Sequence, residues 1–294
     1  MKRLYILILS AFILLGITAC DSDSSEPYDR QGLFSWRRTV FLDGGDALFT
    51  FMQAHGFNEV YQWFARDLTE QQVMDFLMAA NEKGIHVYYL TGDPNWARDP
   101  EARQLIRGIN RVVGFNDLLD CGSGIRGVLL NVEPHALSEW NNRTSRRELM
   151  DNFVAGSRLA YDEAAYHGLE VILCIPNWYD VSGFMDDLRI LFSTSADRIA
   201  VMNYARGDEF NRIRVEVSLA MEYGRGIIQI YEFNPPGHHG ITEPITYYFA
   251  GFEAALENFA ELQEAFPESG ITMAAHDFEV LRRIITPAYS PDTY

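Results

Sequence analysis

Eight times along the chain an apolar run of strand length gives way to a longer segment with apolar residues at helical spacing, and this alternation limits the available folds more than any other property. The runs are 39–42, 59–63, 86–90, 127–132, 171–175, 199–202, 227–231 and 271–275. The intervening segments are helical by mechanism as well as by length. Thr69 and Gln72 have capping-box spacing, and Val73, Phe76, Leu77 and Ala80 follow as a stripe that Gly84 stops. Met150, Phe153, Val154, Ser157, Ala160 and Ala164 make a second stripe, and Phe252, Ala255, Leu256, Phe259, Leu262 and Phe266 a third. Regular β/α alternation with no change of composition predicts an α/β fold, a single (β/α)8 barrel. An open doubly wound sheet satisfies the same periodicity.

The termini read differently. Lys2 and Arg3 precede an apolar run from Leu4 to Leu15 that is too short to span a bilayer, and Ile17, Thr18, Ala19 and Cys20 close it. Residues 15–20 resemble the lipobox of bacterial lipoproteins. That resemblance implies that 1–19 is a signal peptide, that Cys20 is lipidated, and that the chain is extracytoplasmic and held at the cell membrane or envelope by a lipid anchor. A polar stretch rich in Ser and Asp, 20–32, reads as a flexible tether, 33–285 as the barrel and 286–294 as a tail. The net charge of −17 repels nucleic acid. Beyond Cys20 the cysteines are Cys121 and Cys174, and Cys174 sits in an apolar run, so both read as buried free thiols.

The segment 125–140 carries the densest chemistry. Val128, Leu129, Leu130 and Val132 leave no polar face, which suits a strand covered on both sides, and Pro134 ends it. Glu133 is thereby delivered to a strand tip, with Asn131 on the same side by the two-residue period. In a barrel the C-terminal strand tips line the active site. They supply Asp43; Trp63 and Arg66; Thr91, Asp93 and Trp96; Asn131 and Glu133; Asn177 and Trp178; Asn203 and Tyr204; Glu232; and His276 and Asp277. Aromatic faces stack on sugar rings while acids and amides bond hydroxyls, so the set predicts a carbohydrate ligand or substrate. Glu133 and Glu232 are the candidate catalytic pair, one as proton donor and the other as nucleophile or base. Asp43, Trp63, Asp93, Trp96, Asn131, Trp178, Asn203, Tyr204, His276 and Asp277 are the candidate substrate contacts. A barrel that holds a glycan without cleaving it fits the same residues.

No cofactor is expected. The match of 122–127 to a dinucleotide fingerprint precedes a strand instead of joining strand to helix, and His238 and His239 lack a third ligand at metal spacing.

Acids on strands four and seven resemble the retaining glycosidases of clan A, although here Val132 separates Asn131 from Glu133. A second resemblance is to the family 18 chitinases, whose strand four ends in a catalytic Glu and whose strand six carries a Met-x-Tyr. Glu133 and Met202-Asn203-Tyr204 match, while Leu129 and Asn131 stand where that family has acids. Residues 127–135, 202–204 and 274–279 are most similar to secreted barrels related to glycoside hydrolases. The resemblance implies the barrel fold, with Glu133 as general acid and Tyr204, Asn131 and His276 orienting substrate or tuning the acids.

Overall fold

The computed structural model describes residues 30–119 and 122–286. Cys20, Cys121, the leader and most of the tether and tail lie outside the described residues. Eight strands pair in chain order, all parallel, and β1 pairs with β8 to close the barrel. They are β1 (Gln31–Ser35), β2 (Glu59–Trp63), β3 (His86–Thr91), β4 (Gly127–Leu130), β5 (Glu170–Pro176), β6 (Arg198–Met202), β7 (Gly226–Glu232) and β8 (Thr272–His276). The helices between and after them are α1 (Asp46–Ala54), α2 (Glu70–Glu82), α3 (Arg103–Asn116), α4 (Arg143–Tyr166), α5 (Met185–Thr194), α6 (Glu209–Tyr223), α7 (Gly251–Ala265) and α8 (Phe278–Ile285). The capping box at α2 forms, with Thr69 and Gln72 bonding reciprocally. Among the described residues no helix is long and apolar enough to cross a membrane.

One expected strand is misplaced. Residues 39–42 do not pair; Arg38–Phe41 is a 3-10 turn, and β1 lies upstream at Gln31–Ser35, taking in two residues read as tether. The apolar character of 39–42 serves tertiary packing instead. Phe41 lies with its ring centroid 5.0 Å from Phe64 and 4.5 Å from Phe76, so the turn folds down over α2.

Side chains alternate between two apolar layers, as the period of a strand requires. Leu33, Val60, Val87, Val128, Leu130, Val171, Leu173, Ile199 and Met273 face outward into the layer shared with the helices. Phe34, Tyr61, Tyr88, Leu90, Leu129, Ile172, Cys174, Ala200, Ile228, Ile230 and Ala274 fill the barrel interior. Cys174 is a buried free thiol.

Below that plug the same inward period turns polar. Arg198 donates to Glu59 at 2.8 Å and to Glu170 at 2.6 Å, while Tyr61 and Tyr88 bond Glu59 and Glu170 at 2.9 and 2.7 Å. Burial works against a charge on Glu59, but Arg198 and Arg30 outweigh it and hold its pKa below the usual carboxylate value. Glycines make the room. A Cβ on Gly32 would stand 2.5 Å from the Tyr61 ring, and one on Gly226 would stand 2.6 Å from the Arg198 side chain.

Candidate active site

Following the inward period upward from the apolar plug leads directly into the opposite mouth. Above Phe34 comes Trp36; above Leu129 come Asn131 and Glu133; above Ala200 come Met202 and Tyr204; above Ile230 come Glu232 and Asn234; above Ala274 comes His276. These residues line a cavity of about 850 Å³ at the C-terminal ends of the strands. Cys174, Asp277, Arg37 and Arg283 also border it, with His238 and His239.

Glu133 follows β4 in a left-handed backbone conformation (φ 53°, ψ 61°) that costs a non-glycine residue on the order of 1 kcal/mol or more. Val132 anchors the turn by facing the outer core, and Pro134 leads straight into a short 3-10 turn. The carboxyl Oε1 accepts a hydrogen bond from Asn131 Nδ2 at 2.8 Å, and Oε2 lies 3.6 Å from His135 Nε2. Burial raises the Glu133 pKa above the usual carboxylate value, against the lowering effects of Asn131 and His276. The acid is thus pushed toward holding its proton.

Glu232 is the opposite case. Its Oε1 accepts from the Asn234 backbone N–H at 2.7 Å and from Asn234 Nδ2 at 2.8 Å, and its Oε2 meets His276 Nδ1 at 2.9 Å. Burial opposes its charge, yet His276 and Asn234 together outweigh burial and lower the pKa. His276 completes a chain, since its Nε2 accepts from Trp36 Nε1 at 3.0 Å. An indole nitrogen only donates, so this arrangement is the neutral Nδ1–H imidazole donating to Glu232. Burial disfavours a charge on His276 and Glu232 favours one, the latter prevailing to raise its pKa, but taking up that second proton breaks the Trp36 bond. Tyr204 stays a phenol, its pKa raised by burial and by the charges of Glu232 and Glu133.

Several expected contacts stand elsewhere. Asp43, displaced with the misread strand, is exposed and its carboxylate accepts from Gly45 N at 3.1 Å. Trp63 is at the β2 tip, 37% exposed, outside the cavity lining. Asp93 caps the turn Pro94–Arg98 through Asn95, and Trp96 packs on the outer core. Trp178 packs edge-on against His135, Trp140 and Tyr179 and does not line the cavity. Asn203 is a rivet: buried, it donates to Glu209 O and Gln229 Oε1 and accepts from Asn177. Six of the ten expected contacts therefore stand outside the cavity lining, and Asn131, Tyr204, His276 and Asp277 reach the cavity. Asp277 also caps α8 through Val280 N.

Four lining residues, Trp36, Asn234, His238 and His239, lie outside the set that the sequence predicts. Trp36 follows the strand that the sequence misplaces, Asn234 lies two residues beyond the expected tip of β7, and His238 and His239, which read as loop, both line the mouth. The period of two, extended past the strand end, would have found the first two. Among the described residues no group of three or more His, Cys, Asp or Glu is arranged to hold a metal ion.

No protein-family model and no curated protein sequence matches the chain. Solved structures do match by shape. A chitinase from Chromobacterium violaceum ATCC 12472 superposes with a TM-score of 0.55 at 12% identity, covering 89% of this chain and 100% of that one. A GH18 chitinase from Pseudoalteromonas aurantia gives 0.55 at 11% identity over 87% and 99%. A D-psicose 3-epimerase gives 0.52 at 9% identity over 84% of each chain. At these identities the likeness is one of fold, and the chain has the TIM-barrel fold that these enzymes of different chemistry share.

Proposed function

We propose that this barrel hydrolyses a glycosidic bond in a polysaccharide or cell-envelope glycan, with Glu133 as the general acid. One observation carries the reading: two carboxyl groups border the same cavity with their pKa values driven apart, Glu133 up and Glu232 down. A raised acid can protonate a leaving oxygen, and a fixed anion opposite it favours the oxocarbenium-like charge that builds as the bond breaks. Glu232 has both oxygens occupied by three hydrogen bonds and is 3% exposed, so its task in this reading is electrostatic and not attack on the sugar. Trp36 and Tyr204 offer rings to a sugar face, and Asn131 orients the acid. Two of the structures that share the fold are chitinases, which supports a glycan as the ligand.

The competing reading is a barrel that binds a glycan without cleaving it. It is favoured by Leu129, an apolar interior residue where the family 18 pattern has an acid, and by the saturation of Glu232. A glycan screen that reads released reducing ends and calorimetric binding together separates the two. Cleavage by the parent that falls about 10²- to 10⁴-fold in Glu133→Gln, with affinity kept, supports the enzyme. Binding without cleavage supports the lectin-like barrel.

The site is proposed to work outside the cytoplasm, tethered by lipid on Cys20, on the strength of the leader and lipobox-like residues. Cys20→Ser should abolish lipid labelling and move the protein to the soluble fraction; labelling that persists in this variant removes the anchor.

A further inference from the structure

The Glu133 carboxyl is flanked at both oxygens, Oε1 by Asn131 at 2.8 Å and Oε2 by His135 Nε2 at 3.6 Å. The far side of the His135 ring is just as specific, for Nδ1 lies 3.2 Å from the Tyr179 hydroxyl. Tyr179 is 1% exposed, and a buried hydroxyl left without an acceptor is costly. Donation to Nδ1 satisfies it, and a neutral imidazole that accepts at Nδ1 carries its proton on Nε2. That N–H points to Glu133. Burial among the Trp140, Trp178 and Tyr179 rings pushes the His135 pKa down to about 4, so the ring is neutral at ordinary pH.

We propose that His135, locked by Tyr179 as the Nε2–H tautomer, is a positioning residue for Glu133 whose N–H closes on the carboxyl as negative charge forms there. The proposal rests on Glu133 acting as the proton donor. In that step the Glu133 O–H bond breaks, the proton goes to the leaving glycosidic oxygen, and the electron pair stays on the carboxylate. The His135 proton is not transferred. A contact of 3.6 Å beside the neutral acid becomes a charge-assisted hydrogen bond beside the carboxylate, so it is worth more in the transition state than in the ground state. Of the other groups near Glu133, Asn131 already donates to Oε1 and His276 spends its Nδ1–H on Glu232, which leaves His135 as the ring nitrogen beside Oε2.

The test reads tautomers and ionisation in the full-length protein, independently of turnover. Nitrogen-15 NMR of the histidines at pH 6 to 8 should show His135 protonated at Nε2 and bare at Nδ1, and Tyr179→Phe should shift it to a mixture. Carboxyl carbon-13 titration, with Glu133→Gln to assign the signal, should show the Glu133 pKa rising further in His135→Asn. The shift should be smaller in His135→Gln, whose amide reaches the place of Nε2. Where a cleaved glycan is in hand, His135→Asn should lower kcat about 10- to 100-fold with KM little changed, the size of one hydrogen bond to a charged group. An Nδ1–H tautomer in the parent, or a Glu133 titration that His135→Asn leaves unmoved, overturns the proposal. Cleavage combined with either result removes only the positioning role. Absence of cleavage with the tautomer and the titration shift confirmed removes the hydrolase reading, and the transition-state role with it, while the Tyr179 lock on His135 stands.

Discussion

The indole N–H of Trp36, the residue just past β1, donates to Nε2 of His276 on β8 across 3.0 Å, and this single contact sets the proton count of the Glu232 side of the cavity. It ties the ends of the barrel's closing strand pair, and it admits the imidazole in one tautomer only. With Nε2 occupied, Nδ1 donates to Glu232, and the carboxylate stays ionised.

Trp36→Phe removes the donor and frees Nε2 to hold a proton, so the already raised His276 pKa should rise further. A histidine whose folded pKa is raised contributes stability that is complete below the unfolded value near 6.5 and fades as pH rises through the folded value. The substitution should therefore cost about 1 kcal/mol at pH 8, where the indole bond exists in the parent, and less at pH 5. Histidine proton NMR titration with denaturant melts at both pH values checks this. A penalty equal at both would show that the bond does not sense the imidazole charge.

Arg198→Met should destabilise the fold by about 3 to 5 kcal/mol, because it strands Glu59 in the floor of the barrel without its main partner. The double variant Arg198→Met/Glu59→Gln should recover much of that loss. The parent's own share of stability from Glu59 is present above the ordinary carboxylate value near 4.5 and is lost as pH falls through the depressed folded pKa. Urea unfolding at pH 7 and pH 3 reads both effects.

Glu216 on α6 is fully buried with neither carboxyl oxygen hydrogen-bonded, and burial, with the charge of Asp180, pushes its pKa from 4.5 to about 8. For a raised acid the folded state holds the proton more tightly, so stability falls as pH climbs from 4.5 towards 8, by roughly 5 kcal/mol at most. Glu216→Met should raise Tm by several degrees at pH 8 and by less at pH 5. A variant less stable than the parent at pH 8 would show that the carboxyl has a partner after all.

Leu130→Asp places an unpaired charge in the fully buried layer between β4 and the helices and should cost several kcal/mol. Thermal melting within a degree or two of the parent would contradict the packing of that layer.

The barrel was legible in the sequence because seven strands announce themselves as apolar runs between helical stripes. The first was not, and the reason is local. In Gln31–Ser35, Gly32 has no side chain because the Tyr61 ring occupies that space, and Ser35 adds a second polar interruption, so the run has too little apolar signal. The turn Arg38–Phe41, by contrast, is apolar because Phe41 covers α2. The candidate site was legible where a tip residue continues the inward period, as with Glu133, Glu232 and His276. It was illegible where residue type suggested a ligand contact but the partner was the protein itself. Asn203 looks like a hydroxyl binder and is a bolt between β6 and β7; Asp93 looks like a substrate contact and is a turn cap. Hydrogen bonds within the chain satisfy these groups, and sequence carries no record of which partner a polar side chain finds.

The ionic floor built from Glu59, Arg198 and Glu170 has a consequence for traffic. With the interior filled above it by Phe34, Tyr61 and Leu129, the described residues leave no passage along the barrel axis, and the cavity they form is a blind cup. Whatever enters leaves by the same rim, so under the proposed reading a long glycan would lie across the opening and dip into it, with cut ends and fresh chain sharing one doorway.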